Sequence, residues 1–466
     1  MLISTQSNNP KEYGRVIMRL DIPWKCPYVK YYVSSINTKA NILMTTDDDY
    51  LLFQSADGIR VGDFISDLKR TAAQIVNPSI FIVKIANKLT IIKENDFKRS
   101  LKDILLGSRM EGKKQFTITG FDVYSFAGNA NFIKFATMKF FSYDPSIFSF
   151  FKGFPYRMLD EFDMELINPF IVHVFKIICN SNAAFYNYVM KWIAYVIQNL
   201  TGKTGTAIVL TGAHGAGKNT FTDQICKLLG DYANENTKSD SIFGTFNGAL
   251  FNKKLLVCNE MQSFENSKKL NYDLLKTLIT ENTMDINLKH KDEIHVENIC
   301  NFIFLSNHFA PIKIEKGDRR FVVIRVSPMV RNSKQYFEPL YATFTPEFYK
   351  HLFTFFLQMD ITGWDPREIP ASEEKEVIQE ISKSIYELFI QEFINKFIEG
   401  FEKQAAKQAF KEWCSGNGHP PGYNHEFLME MLKYCDVKRP GTKDGTTRKY
   451  FYKLRLDSYS FFEIPQ

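Results

Sequence analysis

"TAIVLTGAHGAGKNTFTDQICKLLG", residues 206–230, decides how the rest of the chain is read. An apolar run enters a turn with glycines at 212, 215 and 217. The turn opens into a segment whose Phe221, Ile225, Leu228 and Leu229 share one helical face up to Gly230. Gly212, Ala213, His214, Gly215, Ala216, Gly217 and Lys218 fit the spacing G-x-x-x-x-G-K. In that pattern glycines let backbone N–H groups face a phosphate and the lysine reaches its outer oxygens. Strand, glycine turn and helix in this order predict a nucleotide site over Gly212 to Thr220 that takes ATP with Mg2+. Asn219 stands where such a loop normally carries the Ser or Thr that holds magnesium. Its side-chain oxygen is also a hard ligand, able to meet Mg2+ directly or through water, whereas Thr220, about 100° further round the helix, points elsewhere.

Outward from this loop, the runs "KLLVCNE", "NFIFLSN" and "FVVIRVS" alternate with helical stretches. That rhythm predicts an α/β fold with a parallel sheet flanked by helices over 205–365. Residues 156–204 read as a helical lead-in to it. Residues 1–155 read as a mixed α+β accessory region for oligomerisation or DNA binding, with strand-like runs in "SIFIVKIANKLTIIKEND" and a helix over "DFISDLKRTAAQIV". "WDPREIPASEEKE" reads as a polar linker, and 375–466 as a separate unit. In that unit Ala406, Phe410 and Trp413 line one helix, while Phe427, Leu428, Met431 and Leu432 face inward on a second that starts at Asn424. A basic hairpin follows, in which Arg448 and Lys449 would meet DNA phosphates; the whole resembles a winged helix.

Composition sets the outer bounds. At 466 residues, 45% hydrophobic and 24% charged, the chain reads as an ordinary globular protein of two to four domains. No apolar run reaches about 18 residues and the amino terminus lacks a signal-peptide pattern, so neither membrane insertion nor secretion is expected. Seven cysteines scattered singly predict reduced thiols in an intracellular, reducing compartment rather than a zinc site or disulfide framework. A net charge of +6 is compatible with a polyanion partner without requiring one.

Three further motifs bear on the loop. Asn259 and Glu260 close the apolar run "LLVCNE", where an acidic residue polarises the attacking water or orients a metal; Asn219, Asn259 and Glu260 are the candidate metal ligands. Asn307 ends "NFIFLSN", placed to position the same water. Arg319 and Arg320 precede the last apolar run, and one of them would act across a subunit boundary on the γ-phosphoryl, the other in a salt bridge or as a sensor. The residues leave open which is which.

The order of "GAHGAGKN", "LLVCNE", "INLKHKDEIHVENICNFIFLSN" and "GDRRFVVIRV" resembles the superfamily 3, AAA+-like DNA helicases of viruses and plasmids. The likeness is greatest to the C-terminal halves of poxvirus-like, virophage and satellite-phage primase-helicases, in which Asn after the loop Lys also occurs. The resemblance is strong over about 200–330, and Asn259 departs from it by standing where a second acidic residue is common. It implies a P-loop AAA+-type fold in which Lys218 holds the phosphates, Glu260 the water, and Asn307 senses the γ-phosphate. Lys289 would be the hairpin lysine, with His290 and Lys291 touching DNA backbone in a ring channel. It further implies a homohexamer driven by ATP along single-stranded DNA, unwinding forks in the cytoplasm or at a viral replication site, with a primase or polymerase as a further partner. A primase fused within this chain is not expected, because about 155 residues ahead of the lead-in are short for a polymerase-type primase. The competing reading is a replication initiator or loader that uses nucleotide as a switch and binds DNA without processive unwinding.

Overall fold

The protein is described by a computed structural model over residues 133–235, 244–259, 272–287, 293–419, 424–438 and 450–464. It also describes 43–46, 49–52, 72–85, 88–102, 105–111 and 114–119, and the single residues 121, 125 and 242. At its centre is a five-stranded, all-parallel sheet: β1 (Ala207–Thr211), β2 (Ala233–Asn234), β3 (Leu255–Cys258), β4 (Asn301–Ser306) and β5 (Phe321–Arg325), in the order β2-β3-β4-β1-β5. Four of these strands lie in the four apolar runs quoted above. The fifth, β2, has two residues, too short for any periodicity to reveal.

Every residue of β1, β3 and β4 is buried, because helices cover both faces of the sheet. Alternate side chains divide between two cores. Ile208, Leu210, Ile303, Leu305, Val322 and Ile324 pack with α1 (Met164–His173), α2 (Ala183–Gln198), α3 (Lys218–Leu229) and α6 (Pro346–Gln358). Val209, Phe302, Phe304 and Val323 pack with α4 (Tyr272–Thr280), a hairpin of strands Thr283–Ile286 and Ile294–Glu297, and α7 (Glu373–Ile381). Between β5 and α6 lies α5 (Lys334–Ala342).

The stretch read as a linker is built into this body. Trp364 rings lie against Tyr188 and Tyr195 of α2, and Ser372 caps α7 while donating to the Val323 carbonyl at 2.9 Å. The helix expected over residues 63–76 is corrected at its end: Ala72–Ile75 is a strand, paired with Ile80–Ile85 and with Ile133–Phe135. The Asn77-Pro78 turn folds Ile80–Ile85 back onto it, and pairing on a buried face outweighs helix propensity. Residues 63–71 lie outside the described residues.

In the C-terminal unit, helices Ile385–Glu392, Lys403–Gly416 and Asn424–Tyr434 pack on an antiparallel sheet ordered Phe401–Glu402, Phe451–Leu454, Cys435–Lys438. Phe427 and Met431 are buried and Leu428 is half-buried, but Leu432, expected inward, is exposed, since one core on one side of a short helix leaves room for a narrower stripe. All six described cysteines are buried and unbridged, and no described helix is long and apolar enough to cross a membrane.

Candidate functional site

Gly212 follows β1 directly, so the glycine-rich turn stands at the carboxyl edge of the sheet, where open α/β sheets bind ligands. Gly215 has φ +75° and Gly217 φ +95°, both in the left-handed region. The turn is also pressed from behind. A Cβ at Gly215 would stand 1.8 Å from Asn332 Oδ1, and one at Gly217 would stand 2.6 Å from His173 Cε1. Asn332 N donates to the Gly215 carbonyl at 3.0 Å, so the segment after β5 clips the turn in place.

Gly217 caps α3 with no side-chain acceptor, leaving the first N–H groups of the helix, its positive end, facing the cavity. Lys218 is buried, and its Nζ donates to the carbonyls of Gly212 (2.6 Å) and Ala213 (3.0 Å) and to Asn307 Oδ1 (3.0 Å). Burial pushes this ammonium down to about 8. The Asn307 contact follows from topology: β4 lies beside β1 with Ser306 opposite Thr211, so the residue after β4 arrives next to the loop. The lysine, glycine turn and Asn307 read from the sequence are thus brought together.

The loop lines a cavity of about 930 Å3 together with Asn259, Asn307 and one face of α5. Asn219 is exposed to it. Thr220 is buried with its hydroxyl 3.0 Å from the Tyr341 hydroxyl, so Asn219 is the side chain following Lys218 that is open to the cavity. A hard cation would find neutral amide oxygens at Asn219 and Asn259, and no group of three His, Cys, Asp or Glu stands together among the described residues. That donor set suits a magnesium ion carried in on phosphates and water, rather than a protein-built cage. Glu260 lies outside the described residues.

His173 is a site residue the sequence did not flag. Buried at the end of α1, where the helix widens into a π turn over Val174–Ile178, its Nε2 is 3.2 Å from the Gly217 carbonyl and its Nδ1 is 3.0 Å from the Tyr336 hydroxyl. A carbonyl only accepts, so Nε2 carries the proton and Nδ1 accepts from Tyr336. Desolvation holds the imidazole down at about 4, neutral at physiological pH. Only the fold brings residue 173 to 217. The face of α5 carried more signal, with Lys334, Phe337, Glu338 and Tyr341 at helical spacing.

Arg319 and Arg320 lie elsewhere. The Ala207 N–H, at the start of β1, donates to the Arg320 carbonyl at 2.7 Å, which puts both arginines at the amino edge of the sheet, about 13 Å of strand from the loop. Arg320 is paired with Asp318 at 2.9 Å; Arg319 is exposed. Lys289, His290 and Lys291, which fall between Ile286 and Ile294 in the chain, and Arg448 and Lys449 lie outside the described residues.

A family model described as a family of unknown function, DUF5906, matches residues 210–320, which hold the loop, Asn259, Asn307 and both arginines. The chain is 28% identical over 229 residues to a protein of Nitratiruptor phage NrS-1 named DNA primase-polymerase; the match takes in 47% of this chain and spans 30% of that relative. Two apo structures of the NrS-1 C-terminal region each cover 86% of this chain and 100% of theirs at 18% identity, with TM-scores of 0.54 and 0.55. The fold is therefore that of the NrS-1 C-terminal region: mixed α/β, with a parallel sheet and helices.

Proposed function

We propose that this chain is the ATP-driven motor of a viral or plasmid replication system, a superfamily 3, AAA+-type DNA helicase that assembles as a ring, translocates on single-stranded DNA and opens forks. The observation that carries the reading is the Lys218 ammonium, buried at the carboxyl edge of the sheet and shared between the loop carbonyls and Asn307. A buried lysine facing an uncapped helix end is poised for phosphate, and Asn307 beside it would register whether the γ-phosphate is present. Phosphate oxygens would take over from the two loop carbonyls as partners of Lys218. Mg2+, held by the phosphates with Asn219, would supply polarisation of the phosphoryl oxygens. Glu260, one residue after Asn259, is assigned the attacking water. The similarity to a phage primase-polymerase supports a place at a replication fork, with a primase or polymerase as partner.

Arg319 is assigned as the residue delivered to a neighbouring site, since Arg320 already has a carboxylate partner in its own chain. The C-terminal unit, helices packed on a three-stranded sheet, supports a winged-helix-like DNA contact in which Arg448 and Lys449 neutralise phosphates. That unit equally favours the second reading, an initiator or loader that binds DNA without processive unwinding.

Steady-state ATPase assays with and without single-stranded DNA, paired with unwinding of forks carrying either tail, test the proposal. The parent should hydrolyse ATP faster with DNA and unwind, and Lys218→Ala should fall to background. A Lys218→Ala protein that turns over at the parent rate overturns the site; ATPase without unwinding selects the initiator.

A further inference from the structure

Beside the glycine turn the cavity is lined by one face of α5, with Lys334, Phe337, Glu338 and Tyr341 at positions i, i+3, i+4 and i+7. Only part of this face packs onto the protein: Phe337 is half-buried, with its ring 6.2 Å from that of His173 and against the back of Gly217. Leu340 is the buried residue of α5, and Tyr336 turns to His173, while Lys334, Glu338 and Tyr341 are exposed and Tyr341 keeps 53% of its surface. The rings of Phe337 and Tyr341 lie 5.9 Å apart at 25°, forming a shallow aromatic shelf. An aromatic shelf left open to a polar cavity, flanked by one cation and one carboxylate, is unusual for a helix whose other side is anchored. The Tyr341 hydroxyl, 3.0 Å from that of Thr220, ties the shelf to the first turn of α3, whose N-terminus would hold the phosphates.

Resting on the nucleotide reading above, we infer that this face of α5 is the nucleoside subsite: a purine base stacks on Phe337 and Tyr341, and Lys334 and Glu338 read its edge. A flat π-system with donors and acceptors on its rim matches a shelf bordered by one donor and one acceptor. A cavity of about 930 Å3 spans both the loop and the shelf and accommodates a whole nucleoside triphosphate. The phosphates are held by Lys218 and the helix end, and the base by a different element, so the two halves of the ligand are separable by mutation.

The test measures equilibrium binding of ATP and of inorganic tripolyphosphate to the full chain and to three variants, Tyr341→Ala, Phe337→Ala and Tyr341→Phe. Tyr341→Ala should weaken ATP about tenfold and leave tripolyphosphate unchanged, and Phe337→Ala, whose ring also backs Gly217, should weaken ATP at least as much. Tyr341→Phe, which keeps the ring and drops only the hydroxyl bond to Thr220, should keep ATP affinity. Equal loss of both ligands in Tyr341→Ala would mean that the tyrosine acts through Thr220 on the loop, and would overturn the subsite. So would unchanged ATP affinity in both alanine variants. A parent that binds tripolyphosphate but gains nothing from the base refutes the shelf alone, whereas a parent that binds neither refutes the loop reading and the shelf with it.

Discussion

His173 carries its proton on Nε2 because the Gly217 carbonyl can only accept, and this single bond ties the back of the glycine turn to α1. Its burial has a consequence for stability. In the unfolded chain the imidazole titrates near 6.5, whereas in the fold it is held at about 4. Between these values the unfolded state binds more protons, so stability is whole above pH 6.5 and is lost as pH falls toward 4, by roughly 3 kcal/mol. His173→Gln keeps a donor for the Gly217 carbonyl but does not titrate. Urea unfolding at pH 7.5 and at pH 5 should show a larger acid loss in the parent than in the Gln variant. Parallel losses would move the acid sensitivity to another group. The sequence names Lys218, and two of its oxygen partners are carbonyls of its own loop, but the third, Asn307 just after β4, comes from strand order alone.

At the scale of elements, the proposal assigns to the hairpin of Thr283–Ile286 and Ile294–Glu297 the task of joining the site to a nucleic acid strand. Two strands alone are marginal in water, and here the base is anchored on three sides. Met284, Ile286 and Ile294 are buried; the Asn247 side chain donates to the Asp285 carbonyl and accepts from Asn287 N, both at 2.8 Å; and Glu297 pairs with Lys139 at 3.1 Å. Ile294 also enters the core of the strands Ala72–Ile75 and Ile80–Ile85, so the accessory region buttresses the hairpin. An anchored base allows a basic tip to carry load. Under that proposal Lys291→Ala should leave DNA-independent ATPase near the parent rate and lose most of the stimulation by single-stranded DNA, because only a DNA-backbone contact would be removed. Equal stimulation in parent and variant would take the hairpin out of the motor.

At the scale of the whole molecule, the loop and the arginines lie at opposite edges of one sheet, so no single chain joins them. Under the ring proposal Arg319 serves the next subunit's site, in a head-to-tail contact that closes on itself. Mixing Lys218→Ala, which keeps its arginine, with Arg319→Ala, which keeps its loop, should restore ATPase that neither protein shows alone. An Arg319→Ala protein with parent activity, or a mixture as inactive as its components, would remove the shared site.

The sequence by itself determined what periodicity and short-range chemistry encode: four apolar strands, the glycine turn entering α3, and the inward face Phe221, Ile225, Leu228 and Leu229. These were legible because strand burial on both faces and helical spacing are written in consecutive residues. It also named Asn307 as a site residue, though not its partner. Tertiary structure alone decided that β4 lies between β1 and β3, that His173 backs Gly217, that Ala72–Ile75 is a strand, and that α5 turns an aromatic shelf toward the loop. Each of these is a pairing between segments distant in the chain, and its energy lies in desolvation and hydrogen bonds that exist only once both partners have been brought together.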